Sequence, residues 1–72
     1  MPHIKQVIRQ TAMSLTEIAD AAGLSHGTVS KLVNNKPVSE LSLSKVLRVV
    51  NQRVGTSYDV PDIQGVNLTG GD

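Results

Sequence analysis

The spacing of apolar residues predicts four helices between residues 4 and 53. In each segment the apolar positions recur three, four, seven or eight residues apart, which places them on one face of a helix with polar residues between them. The four apolar stripes are Ile4, Val7, Ile8 and Ala12; Leu15, Ile18, Ala19 and Ala22; Val29, Leu32 and Val33; and Leu43, Val46, Leu47 and Val50. We therefore expect an all-α fold, a small four- to five-helix bundle without a sheet in residues 1–55.

Capping residues mark where the second helix starts and ends. Ser14 and Glu17 have the spacing of a capping box, in which each side chain bonds the backbone N–H of the other residue. Gly23 can end this helix in a left-handed conformation, and Ser25 can begin the next one. Two short helices joined by three residues, 23–25, have the connection of a helix-turn-helix, in which the helices cross at about 90–120°.

The periodic pattern ends at Gly55. Residues 56–72 contain Pro61, three Gly and three Asp, with two short β-prone stretches around residues 58–60 and 66–68. Such a segment offers little apolar surface to offset the entropy lost on ordering. The sequence therefore predicts a helix-turn-helix domain over residues 1–55 and a flexible acidic tail or linker over residues 56–72.

Eight apolar residues from the four stripes and the turn are expected to form the buried core. They are Val7, Ile18, Ala19, Leu24, Val29, Leu32, Leu43 and Leu47.

The charges are distributed unevenly along the chain. Residues 1–55 carry all seven Lys and Arg and three acids, a net charge of +4 (7 − 3), whereas residues 56–72 carry three Asp and no base. A basic body favours a polyanionic partner.

The composition gives no support to an enzyme. The chain has no Cys, its two His lie far apart, and its acids lack the spacing of metal ligands, so we expect no metal, cofactor or small-molecule substrate. No apolar run approaches the roughly 18 residues that a membrane span requires. The first residues also lack the apolar stretch of a signal peptide, and we expect a cytoplasmic protein.

The segment from Ser14 to Asn35 resembles the DNA-reading motif of lactose- and purine-repressor-type regulators. The likeness is clearest in Ala-Gly-Leu-Ser at 22–25 and Thr-Val-Ser-Lys-Leu-Val-Asn at 28–34. The overall layout is similar to the Cro and phage-repressor type of domain, because a full helix precedes the motif and a Leu-rich helix follows it. These resemblances imply that the helix after the turn reads double-stranded DNA in the major groove.

The resemblance also assigns roles to residues of this helix. It implies that His26, Gly27 and Lys31 face base edges and that Thr28 and Ser30 touch phosphates. Gly27 stands where the family usually carries a hydrogen-bonding side chain.

Position along the helix adds further candidates. Asn34 either reaches a base or caps the C-terminal end of the helix. Ser25 at the helix start and Lys36 in the following turn are the best further candidates for phosphate contacts. Lys5 and Arg9 are candidates of lower rank. No acid lies between His26 and Asn35, so the positive end of the helix is open to phosphate oxygens.

Two classes of function remain open. The first is a dimeric transcriptional repressor of plasmid, phage or bacterial origin, either complete or as the DNA-binding fragment of a longer protein. The second is an antitoxin-like or assembly module that acts mainly through protein contacts, which a long, apolar, structured tail would favour. Val49, Val54 and Tyr58 are the candidates for a homodimer interface.

Overall fold

The computed structural model describes residues 3–69 and contains four α-helices, as the sequence predicts. They are α1 (Ile4–Gln10), α2 (Leu15–Ala22), α3 (His26–Val33) and α4 (Glu40–Val54). A short strand, β1 (Pro37–Ser39), lies between α3 and α4. After α4 come a 3₁₀ turn (Val60–Asp62) and a second strand, β2 (Asn67–Thr69).

The predicted capping box at the start of α2 is present. The Glu17 N–H donates to Ser14 Oγ at 3.2 Å, and the Ser14 N–H donates to Glu17 Oε1 at 3.1 Å. The hydrogen bond from the Ser14 backbone is the main reason why the pKa of Glu17 lies below its ordinary value, with smaller contributions from the Ser14 side chain and the charge of Arg53. The capping box therefore contributes most to the stability of the fold when Glu17 is ionised.

The core is made of aliphatic residues from all four helices, β1 and the segment after α4. Its buried members are Ile4, Val7, Ile8, Ile18, Ala19, Val29, Leu32, Val38, Leu43, Val46, Leu47, Val50 and Ile63. Of the eight residues expected to be buried, Leu24 is the exception. It is half-buried and packs against the core from the turn between α2 and α3.

Ala12 also departs from its predicted position. The apolar stripe of the first helix includes it, but α1 ends before it and the residue is exposed, with a φ of +56°. Its N–H donates to Arg9 O at 3.2 Å, which closes the helix end. Periodicity does not reveal this left-handed residue, because Ala is a strong helix former.

The expectation that residues 1–55 form no sheet is wrong. Strand β1 pairs in parallel with β2, with Pro37 opposite Asn67 and Val38 opposite Leu68. Pro37 cannot continue a helix, so this segment is extended, and Val38 is buried in the core. The two strands lie 30 positions apart in the chain, and local periodicity carries no information about such a pairing.

The expectation of a loosely attached tail is also wrong for residues 56–69, which we call the C-terminal arm. The Asn51 side chain holds the start of the arm, because its Nδ2 donates to Tyr58 O at 2.9 Å and its Oδ1 accepts the Tyr58 N–H at 3.0 Å. Farther along, Ile63 is buried in the core and Gln64 O accepts the N–H of Ile4 at 2.9 Å. Residues 70–72 of the predicted tail lie outside the described residues.

The arm packs because it contributes more apolar surface than its composition suggests. Besides Ile63, three of its residues pack against the core while partly exposed: Tyr58, Val60 and Val66. They are scattered among Gly, Pro and Asp, so no helix or strand periodicity connects them in the sequence.

Candidate nucleic-acid interface

The turn between α2 and α3 fixes the second helix on the surface of the domain. Gly23 adopts a φ of +72°, and the Leu24 N–H donates to Ala19 O at 2.8 Å, so α2 ends abruptly. Val29 and Leu32 are buried and anchor one face of α3 to the core. The opposite face of α3 is consequently turned to solvent.

The solvent face of α3 carries the predicted base-reading residues. His26, Gly27, Lys31 and Asn34 are all exposed. With eight residues, α3 is roughly 12 Å long, which is about the width of the DNA major groove. The helix is therefore short enough to lie across the groove with its side chains against base edges.

At the start of α3, Ser25 and Thr28 bond each other. Ser25 Oγ accepts the Thr28 N–H at 3.2 Å and lies 2.8 Å from Thr28 Oγ1. Each hydroxyl has one hydrogen, and one of the two is used between them. The pair therefore keeps one O–H for a further acceptor such as a phosphate oxygen, so these two predicted phosphate contacts are coupled.

At the end of α3, the Asn34 side chain turns back onto its own helix. Its Nδ2 donates to Ser30 O at 2.8 Å and lies 3.3 Å from Ser30 Oγ. Asn35 follows with a φ of +58°, and the Lys36 N–H donates to Lys31 O at 2.9 Å, which completes the helix end. This geometry favours the capping interpretation of Asn34 and engages Ser30 as well.

Gly27 leaves open space on the exposed face. A Cβ at this position would meet no atom closer than Ser25 Oγ, at 4.0 Å. The absence of a side chain here is thus not required by packing within the protein. It leaves the backbone of α3 accessible to a ligand.

A depression beside the C-terminal end of α3 was not predicted from the sequence. It has a volume of about 210 Å³ and is lined by His3, Lys5, Val33, Asn34, Asn35 and Gly65. The only local signal is His3, whose Nδ1 accepts the Lys5 N–H at 3.1 Å and caps α1. Gly65 lies 62 positions from His3 in the sequence, and only the path of the C-terminal arm brings it here.

The part of the chain that the structure describes, residues 3–69, contains no cluster of three or more His, Asp or Glu side chains that could hold a metal ion. None of its helices has the length and apolar character needed to cross a membrane.

A second depression, larger than the one beside α3, lies between α4 and the arm and has a volume of about 410 Å³. It is an open polar surface lined by residues that include Arg48, Asn51 and Asp59. Asn51 in this wall already bonds Tyr58 and Thr56.

Comparison with known proteins identifies the family of the chain. A family model described as the Cro/C1-type HTH DNA-binding domain matches residues 3–56, which include all four helices. No curated protein and no solved structure matches the chain. The likeness to Cro and phage-repressor domains is thereby confirmed: the chain belongs to the Cro/C1-type helix-turn-helix family, and it binds DNA.

Proposed function

We propose that the protein is a sequence-specific regulator that reads a double-stranded operator in the major groove with α3 and the residues flanking it, about 25–35. One observation carries this proposal. Val29 and Leu32 are buried, while His26 and Lys31 on the other side of the same helix are exposed. A helix anchored in this way presents its side chains in a fixed orientation, as recognition of base edges requires.

The exposed residues divide into two groups by position. Lys31, and His26 at the leading end of the helix, reach base edges, and Gly27 permits close approach of the backbone to the DNA. Asn34 belongs to this group only if its amide releases Ser30, to which it donates. Base contacts of this kind give sequence preference.

Phosphate oxygens are the partners of the second group. The coupled hydroxyls of Ser25 and Thr28 supply one O–H at the start of α3, where backbone N–H groups also favour an anion. Ser30 adds a half-buried hydroxyl, and Lys36 follows the helix as an exposed cation. These contacts set the orientation of the protein on the duplex without reading its sequence.

We further propose that the regulator is a homodimeric repressor of plasmid, phage or bacterial origin. A single eight-residue recognition helix contacts few base pairs, and two copies on half-sites about 34–36 Å apart would double the site. Val54 and Tyr58 pack against the core of their own chain, so Val49 is the best of the three interface candidates. Sedimentation equilibrium with and without DNA tests the dimer.

A role in protein assembly is the second candidate, and the packed C-terminal arm is the observation that favours it. Leu68 on the arm is 37% exposed and Leu41 on α4 is 59% exposed. The buried part of the arm, Ile63, faces its own core instead of a partner. A chain that assembles without binding any duplex would support this candidate over the first.

Alanine substitutions at two lysines test the proposed reading of DNA, because the two variants should lose binding in different ways. Lys31→Ala should weaken binding to the preferred duplex, selected from a random pool, by about 1–3 kcal/mol and relax base preference. Lys36→Ala should weaken preferred and random duplexes alike and flatten the dependence of log K on log salt by about one unit. Fluorescence anisotropy titrations at several salt concentrations measure both.

The two duplexes also provide the internal control for this experiment. Equal losses on preferred and random DNA for Lys31→Ala would remove Lys31 from the base-reading group and leave His26 as its only side chain that can carry a charge. Binding would then depend mainly on the shape and backbone of the duplex.

A further inference from the structure

The depression beside the end of α3 has the chemistry of an anion site. Lys5 contributes a cation and Asn35 a side-chain amide, and both residues are exposed. Among the described residues that line it, none is a carboxylate. An anionic group entering the depression would meet these donors and no carboxylate.

His3 lies at the edge of this depression, in contact with the C-terminal arm. Its Nδ1 accepts the N–H of Lys5. Nε2 lies directly against the Gly65 backbone, and a Cβ at position 65 would overlap the imidazole ring. Gly65 also has a φ of +80°, a conformation that other residues rarely adopt.

The position of the depression relative to α3 indicates which anion it would meet. When the N-terminal residues of a recognition helix lie at base edges, a helix roughly 12 Å long ends near the wall of a groove about 12 Å wide. That wall is the sugar–phosphate backbone. Val33 and Asn34, which end α3, line the depression, so in this docking the depression would lie at the level of a backbone phosphate.

The C-terminal arm connects the two sides of this region. On one side, Gln64 O accepts the Ile4 N–H at the start of α1, one residue before Lys5. On the other side, β2 pairs with β1, which begins one residue after Lys36. The arm thus ties the segment that carries Lys5 to the segment that carries Lys36.

We propose that the depression receives a phosphate of the DNA backbone, bound by Lys5 with the amide donor of Asn35, and that the C-terminal arm is a positioning element for this contact. The inference rests on the proposed docking of α3 in the major groove. It extends the DNA surface beyond the helix-turn-helix to α1 and gives the arm a role in binding.

The first test removes the charge of Lys5. Lys5→Met should reduce the slope of log K against log salt by about one unit and weaken binding about eightfold at 0.1 M salt, because one neutralised phosphate contributes about 0.9 to the slope. The loss should be equal on preferred and random duplexes. Lys45→Met is the matched control, since Lys45 is an exposed lysine that lines a different depression with Ala21 and Val49.

The second test displaces the arm from His3. Gly65→Ala introduces both backbone strain and overlap with the imidazole, whereas Gly55→Ala introduces the same strain at a φ of +80° with no atom within 4 Å of the new Cβ. Gly65→Ala should weaken DNA binding severalfold, and Gly55→Ala should leave it unchanged once both are shown by circular dichroism to be folded. Combined with Lys5→Met, Gly65→Ala should cost little more affinity than Lys5→Met alone.

The outcomes separate this inference from the proposed function. Failure of the unaltered protein to bind any duplex would overturn both. Binding that depends on Lys31 but gives the same salt slope for Lys5→Met as for Lys45→Met would overturn the phosphate site alone. Additive losses for Lys5→Met and Gly65→Ala would overturn the positioning role of the arm, and Lys5→Met by itself would still test the site if Gly65→Ala did not fold.

Discussion

Gly27→Ala should stabilise the fold while weakening DNA binding. Gly27 is helical, and the nearest atom to an added Cβ is 4.0 Å away, so Ala fits without strain. Gly in a helix interior costs about 1 kcal/mol relative to Ala and less near an end, so we expect about 0.5 kcal/mol of added stability at this second position of α3. For a domain of this size that corresponds to a rise in melting temperature of roughly 2–4 °C.

The effect on binding should have the opposite sign. The methyl group would project from the exposed face of α3 at a position where Gly permits close approach to the duplex. We expect affinity for the preferred duplex to fall about tenfold or more, equivalent to about 1.4 kcal/mol. Thermal denaturation followed by circular dichroism measures the first effect, and anisotropy titration of the same preparation measures the second.

Each half of this prediction can fail separately. A lower melting temperature for Gly27→Ala would mean that position 27 is not in a regular, open turn of helix. A higher melting temperature with unchanged affinity would remove Gly27 from the DNA surface. The proposed docking, in which the start of α3 lies deepest in the groove, would then need to be revised.

Two further predictions concern the ends of helices. Ala12→Gly should raise the free energy of unfolding, measured by urea denaturation, by roughly 0.5–1 kcal/mol. Ala12 has a φ of +56°, and relief of about 1–2 kcal/mol of left-handed strain exceeds the effect of the added entropy of the unfolded chain. A loss of stability would contradict the left-handed assignment. For Glu17, whose pKa in the folded protein lies below its ordinary value because of the hydrogen bonds to Ser14, ionisation favours the folded state. This stabilisation is present above pH 4.5 and is lost as pH falls through the folded pKa. The Glu17→Gln variant should therefore be less stable than the unaltered protein at about pH 7, and the difference in stability should shrink at about pH 3. A difference that stays constant with pH would mean that the charge of Glu17 contributes nothing to the stability of the fold.

The sequence by itself determined the helices and most of the core. Helix formation depends on residues three or four positions apart and on capping residues at the ends, and both are visible as local patterns. Ser14, Glu17 and Gly23 therefore predict the start and end of α2 correctly. The same local information marks the exposed face of α3, because the positions of Val29 and Leu32 fix which side of the helix is buried.

Only the tertiary structure decided the course of the C-terminal arm and the surface next to α3. The pairing of β1 with β2 joins residues that lie 30 positions apart in the sequence. The contact between Gly65 and His3 joins residues more than 60 positions apart. Such contacts depend on how the helices bring distant segments together. The apolar residues of the arm show no helix or strand periodicity from which these contacts could be predicted. Ile63 is buried because the packed helices leave an apolar surface for it to cover, and that surface exists only after the chain has folded.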